Sequence, residues 1–228
     1  MTITLYEYPK SAAFGRVLPK SKIYEHGSPS SAVKELFIRQ VEQIVWQYKL
    51  APETVNLMGT RPVPEIQIFN IALRGGELKT DVLRCIDQAI PFPILYELRY
   101  EGKLKVVAAY KRPSEADGSK WVISDYFETE WMRSDTSRKP LPLVFDLEVL
   151  YAHLLAPLMP FAARAGEGLQ ARVERIEQIN SKQREVAKCK ARLYKEKQFN
   201  RKVAINAELR DLKQELENLT RPLAAVAL

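Results

Sequence analysis

Thiol and imidazole groups are scarce in this chain: 228 residues hold two cysteines and two histidines. Cys85 and Cys189 stand far apart, so a disulfide framework is excluded and a reducing, cytoplasmic setting is expected. His26, His153, Cys85 and Cys189 are scattered over the whole chain, whereas a zinc site needs about four ligands in close register. No metal site and no cofactor are expected from them. His26 falls in a basic loop and His153 on an apolar helix, where a structural histidine is the better reading than half of a nucleophile pair.

Long apolar runs are missing too. The opening MTITLYEYPKS has no basic segment followed by an apolar stretch, and the most apolar window, 141–163, is broken by Pro142, Asp146, Glu148, His153, Pro157 and Pro160. Spanning a bilayer takes roughly 20 apolar residues, so this window is read as core and no membrane partner is expected. Phosphate-binding glycine patterns are absent as well. No G-x-x-x-x-G-K-S/T loop occurs, and Gly166-Glu167-Gly168 lacks the third glycine and the preceding strand of a dinucleotide fingerprint, which argues against nucleotide hydrolysis.

One catalytic class remains to be weighed, a metal-dependent nuclease, because Glu101-Gly102-Lys103 is a literal E-x-K and Asp125, Glu128 and Glu130 lie near it in sequence. Such a site needs carboxylates and a lysine converging from strand interiors on Mg²⁺. Glu101 and Lys103 flank a turn glycine and so point to solvent. Alternation puts Asp125 on the opposite strand face from Glu128 and Glu130. No catalytic residue is assigned, and clustering of Asp125, Glu128 or Glu97 about a metal is what would revive this alternative.

What the chain does have is a core and a concentrated charge. Its 46% hydrophobic composition suffices for one domain plus an appendage or two small domains. The formal net charge is +7, and residues 182–202 alone carry that excess: Lys182, Arg184, Lys188, Lys190, Arg192, Lys195, Lys197, Arg201 and Lys202 against Glu185 and Glu196. A field of that sign attracts polyanions, nucleic acid first among them. The competing readings are a solvated helix face and a contact with an acidic protein.

From residue 169 to 219 there is neither Pro nor Gly. Val173, Ile176, Ile179, Val186, Cys189 and Leu193, then Val203, Ile205, Leu209, Leu212, Leu216 and Leu219, keep a three/four rhythm that slips between Leu193 and Val203. Either a helical hairpin folding back near Phe199 or one bent rod is expected. Reversal there would gather the positive residues at a tip able to lie on a phosphate backbone, positioning the protein without reading bases. The apolar seam would close on itself, pair with a second copy or dock on a partner.

Before this element the chain reads as helix, strand, helix and a run of three strands. A helix is expected over 31–48 from Val33, Leu36, Phe37, Val41, Ile44, Val45 and Tyr48. Residues 65–73 (EIQIFNIAL) read as a strand covered on both sides. Thr80 or Asp81 is expected to cap a short helix through Val82, Leu83, Ile86 and Ile90, ended by Pro91 and Pro93. Strands are expected over 94–100, 103–110 and 121–131, the first two joined at Glu101-Gly102, with 111–120 and 132–143 as loops and a helix capped by Asp146. The first thirty residues read as an extended arm, with Arg16, Lys20 and Lys22 beside Phe14 and Tyr24. Such an arm either grips nucleic acid or wraps its own core.

The expected class is therefore α+β: a mixed, largely antiparallel sheet with helices on one face over 1–163, a helical hairpin or coiled coil over 164–220, and a tail over 221–228.

The stretches FGRVLPKSKIYEH (14–26), QVEQIVWQYKLAPETVNL (40–57), EIQIFNIAL, IDQAIPFPILYEL and KEKQFNRKVAINAELRDLKQELENL (195–219) resemble a bacterial domain of unknown function, family 4391. The likeness covers nearly the whole chain and brings no active site with it. It implies an accessory subunit of a DNA-processing or anti-phage defence complex, working beside a restriction-type helicase or a DNA methyltransferase. A nuclease subunit and a pure assembly scaffold are the alternatives. The scaffold would be favoured if the positive tip were covered by the chain's own acidic residues.

Overall fold

A computed structural model of the chain describes residues 5–117 and 120–221. The chain divides into two compact units, Met1–Met159 and Pro160–Leu228. The LAAVAL tail, expected to fray or to form a contact strip, lies outside the described residues.

The first unit runs β1 (Leu5–Glu7), β2 (Ala13–Val17), α1 (Lys20–Gly27), α2 (Ser31–Gln40), β3 (Val41–Leu50), α3 (Pro52–Val55), β4 (Ile66–Leu73), α4 (Thr80–Ala89), β5 (Ile94–Tyr100), β6 (Lys103–Pro113), β7 (Trp121–Glu128), β8 (Met132–Arg133), β9 (Arg138–Pro140) and α5 (Leu147–Leu155). Strands β2 to β7 lie side by side in chain order, with β8 added against β6. All neighbouring pairs are antiparallel except β4 and β5, which α4 joins as a crossover. Apart from this sheet, β1 and β9 form a parallel pair. The class is α+β with a largely antiparallel sheet, as the residue pattern implies.

Burial explains the arrangement. Ile23 of α1, Phe37 of α2 and Val82, Leu83, Cys85 and Ile86 of α4 pack with Val41, Ile44, Phe69, Ile71, Leu73, Ile94, Tyr96, Leu98 and Val107 from one side of the sheet. Strand alternation then sends Gln43, Val45, Asn70, Ala72, Glu97 and Arg99 to the opposite side. Strand β4 is thus covered on both faces at Ile66 and Ile68 but only on the helical side at its far end, where Asn70 and Ala72 line a pocket.

Three expectations are corrected. The helix expected over 31–48 ends at Gln40, and Val41 onward is strand. Its β-branched and aromatic residues favour a pleated surface. A register shift between Val41 and Gln43 lets residues three apart, Val41 and Ile44, share a face, which mimics helical spacing. The extended arm is interrupted by α1, whose Ile23 is buried, with Leu18 and Tyr24 packed on the same core. A Cβ on Gly27 would stand 2.9 Å from the Cys85 carbonyl, so glycine is what lets α1 and α4 approach. Finally, the loop expected from Lys111 begins three residues later, because β6 extends to Pro113.

Two further local readings are corrected: α4 is entered from Lys79 with no side-chain cap from Thr80 or Asp81, and the loop expected over 132–143 contains β8 and β9. Two others hold. Glu101 and Gly102, with φ of 46° and 72°, form the two-residue turn between β5 and β6. Asp146 Oδ1 accepts the Val149 N–H at 2.8 Å and starts α5.

The second unit is a hairpin of α6 (Leu169–Lys195) and α7 (Phe199–Thr220). Its seam closes on itself: Val186, Cys189 and Leu209 are buried together, with Leu193, Ile205, Leu212 and Leu216 packed against them. The surface that a second copy would need for coiled-coil pairing through these positions is already used.

Candidate nucleic-acid interface

The hairpin turns at Glu196, Lys197 and Gln198. The Glu196 carboxylate accepts the backbone N–H groups of Lys197 at 2.8 Å and Gln198 at 2.9 Å, so this acid is spent on the start of α7 rather than on the lysines around it. At the other end, Arg164 donates to the carbonyls of Asn218, Leu219 and Arg221 and caps α7. Arg175 grips Glu167 in a two-pronged pair at 2.6 and 2.8 Å. That contact holds the Glu167 carboxyl down at about 2.

Of the nine expected contact residues on the hairpin, two have counter-ions. Lys182 meets Glu185 and Glu215, and Arg192 meets Glu208. Among the described residues Arg184, Lys188, Lys190, Lys195, Lys197, Arg201 and Lys202 have no ion-pair partner, and all seven side chains are exposed. They do not all sit at the tip: at ~1.5 Å of rise per residue, Arg184 lies roughly 16 Å back from Lys195 along α6. The charge is a stripe running from the turn down the hairpin.

Sequence reasoning passed over two aromatic rings in this stripe. Tyr194 and Phe199 flank the turn and are 92% and 78% exposed. Their spacing about a break in apolar rhythm, inside a run of lysines, was the available signal. Cations that can grip phosphate, interleaved with rings that can stack on bases, form the usual surface for single-stranded nucleic acid.

The N-terminal residues fare differently. Lys20 Nζ donates to the carbonyls of Phe37 at 2.8 Å and Val41 at 2.6 Å, closing the end of α2, and burial lowers its pKa. It is a structural cap and leaves the set of candidate phosphate contacts. Lys22 pairs with Glu25 on the surface of α1. Arg16 lies over the Phe14 ring at 4.5 Å and stays exposed. Of the arm, Leu18, Ile23 and Tyr24 pack on the core, while Arg16 and Val17 stay exposed.

The carboxylates weighed for a nuclease do not converge. Glu128 pairs with Lys105, Asp125 is exposed on β7, and Glu97 is held by Arg138 and Arg99. Among the described residues no group of three His, Cys, Asp or Glu is placed to hold a metal ion.

A second ionic cluster is buried where a polar loop was expected. Lys111, 1% exposed, donates to the carbonyls of Asp87 and Ile90 and faces Asp87 Oδ1 at 3.4 Å. Tyr126 donates to Asp87 Oδ2 at 2.6 Å, and the Tyr151 hydroxyl accepts the Lys111 N–H while donating to the Ala109 carbonyl. Burial pushes the Asp87 carboxyl up and the Lys111 ammonium down, each opposed by the other's charge. The ammonium sits at the end of α4, where a cation is favoured, and acts as its cap.

The chain is an α+β unit followed by a cationic helical hairpin. The family model described as Domain of unknown function (DUF4391) matches residues 7–216, and the chain belongs to that family. Neither the curated proteins nor the solved structures contain a match. No described helix is long and apolar enough to cross a membrane.

Proposed function

We propose that this chain is a non-catalytic accessory subunit of a bacterial DNA-processing or anti-phage defence complex. It holds the nucleic acid backbone through the α6–α7 hairpin and docks on a helicase or methyltransferase partner. The observation that carries the reading is the stripe of seven exposed cations without counter-ions, interrupted at the turn by Tyr194 and Phe199. A merely solvated helix face would interleave its lysines with acids, and a scaffold would cover them; here α7 covers only Lys182 and Arg192. The partner side of the proposal draws on the family resemblance, and the exposed Met58, Leu143 and Phe145 offer apolar surface for a protein contact.

The test is binding of the full chain to labelled single- and double-stranded DNA over a salt series, beside a variant with Lys188, Lys190, Lys195 and Lys197 changed to Glu. Arg192 is left intact because it holds Glu208. Seven phosphate contacts on duplex give a log–log salt slope of about −6. The variant is expected to lose binding at moderate salt. A salt-insensitive interaction, or equal binding by the variant, would remove the hairpin from the phosphate backbone.

A further inference from the structure

On the sheet face opposite α1, α2 and α4, a pocket of about 370 Å³ is lined by Glu7, Tyr8, Gln43, Val45, Gln47, Tyr48, Asn70, Ala72, Glu97, Arg99 and Arg138. It is independent of the hairpin: every lining residue belongs to the first unit. Ligand sites range over about 300–1,000 Å³, so this one suits a small occupant.

The pocket floor is built, not merely solvated. Glu97 is 4% exposed in the middle of the sheet, and an isolated carboxylate there would cost several kcal/mol. It is neutralised by Arg138, which reaches in from β9 with both Nη atoms at 2.7 and 2.9 Å, and by Arg99 Nη2 at 3.1 Å. Arg138 also donates to the Tyr6 carbonyl. The Arg99 side chain is 44% exposed, and among the described residues the rest of its fork is uncommitted.

Next to it stand three amides from adjacent strands, Gln43, Gln47 and Asn70. The Asn70 amide donates to Gln47 Oε1 over a long 3.4 Å, while its own Oδ1 is buried with no partner. A buried acceptor left unpaired costs about 1–3 kcal/mol, and a turn of the Asn70 amide toward the pocket it lines would let a ligand donor relieve it. Tyr8 and Tyr48 supply an aromatic wall, with ring centroids 4.9 Å apart and ring planes tilted by 41°. Burial and the nearby Glu97 charge push the Tyr8 phenol up, keeping it neutral.

These features select among ligand classes. Two acids and two arginines balance in formal charge, which disfavours a bare anion. An apolar ligand would leave the amides and Asn70 Oδ1 unpaired. A planar molecule with several donors and acceptors on its edge, and a face for the tyrosines, satisfies both. We propose that the pocket binds a single nucleobase, with Asn70 and Gln47 on its hydrogen-bonding edge and the free fork of Arg99 on a ring carbonyl or nitrogen. The base comes either as a free nucleoside or as one base extruded from a strand, and its chemistry at the pocket is the same.

The experiment is calorimetric titration of the full chain with adenosine, guanosine, cytidine and thymidine, with inorganic phosphate, and with a deoxytetranucleotide. It is repeated on Asn70→Ala, on Arg99→Gln and on the hairpin variant with four lysines reversed. At least one nucleoside or the tetranucleotide is expected to bind with one-to-one stoichiometry. Each pocket substitution should weaken binding by about tenfold, and the hairpin variant should retain it; Asn70→Ala should leave the melting curve unchanged, whereas Arg99→Gln, which removes one partner of Glu97, should lower it. Binding of the nucleoside itself identifies a free ligand; binding of the tetranucleotide alone, still lost in Asn70→Ala, identifies a base on a strand. Binding of phosphate only, binding unaffected by both pocket substitutions, or no binding at millimolar concentrations overturns the proposal. Because the hairpin variant is included, failure here is separable from failure of the hairpin as a DNA contact.

Discussion

In the first unit the buried charges each meet a counter-charge or a helix end, whereas on the hairpin seven exposed cations form no ion pair among the described residues. Glu97 is fixed by two arginines, Asp87 by Lys111, and Lys20 by the carbonyls that end α2. The base of the hairpin follows the same rule, with Arg175 on Glu167 and Arg164 on the end of α7. Charge is left open along the stripe that runs from the turn down the hairpin. Charge therefore does two jobs: where it is dehydrated it must be paired to be tolerated, and where it is hydrated it remains available to a partner. A count of lysines cannot tell these apart, but the partner of each ammonium can.

The comparison is broken most severely at Lys111. Lys111→Met strands the Asp87 carboxylate and the end of α4 in the core, for an expected loss of about 3–5 kcal/mol. Adding Asp87→Asn removes the stranded charge and should recover part of it. Denaturant unfolding followed by tryptophan fluorescence checks this, because Trp46, Trp121 and Trp131 all lie in the first unit. A loss under about 1 kcal/mol would show that the network is not what holds α4 to β6.

At the base of the hairpin, Glu167→Gln is expected to cost about 2 kcal/mol. The pH dependence gives a sharper version. The Glu167 carboxyl is depressed from 4.5 to about 2 by Arg175, so the folded state favours its ionised form. Its contribution is complete above the unfolded value and is lost as pH falls through the folded one. Helical melting of the wild type should therefore weaken between pH 5 and pH 2, and the Gln variant should show a flatter profile over that window. Parallel profiles would remove Glu167 from the account.

How much of this was legible follows from what kind of signal each feature leaves. The hairpin, the two-residue turn at Glu101-Gly102 and the cap at Asp146 are local and could be read directly. The helix-to-strand switch after Gln40 could not, because a bulge gives a strand the spacing of a helix at Val41 and Ile44. Lys111 looked like the first residue of a polar loop, and its partners stand 21 and 24 residues away. The pocket was hidden for the same reason, since Arg138 reaches Glu97 across 41 residues. One trace was present: ILYELRY places Glu97 and Arg99 on one face of an apolar strand, where an acid and a base two apart have to answer to something buried. The cationic stripe was located by composition alone, but the loss of Lys20 from the candidate set needed coordinates.

The smallest expected effect sits in α1, where two lysines two residues apart are both paired, one half-buried on backbone carbonyls and one exposed on a carboxylate. Lys20 is half-buried and closes α2 through two carbonyls, so Lys20→Met should cost about 1–2 kcal/mol by tryptophan-detected unfolding while leaving DNA affinity untouched. Lys22 forms an exposed pair with Glu25, a contact that salt and side-chain entropy reduce to very little, so Lys22→Ala should change neither stability nor affinity measurably. If Lys20→Met instead left the fold intact and weakened DNA binding with a shallower salt slope, the N-terminal segment would have to be returned to the interface beside the hairpin. The division between paired structural charge and open binding charge would then fail at Lys20.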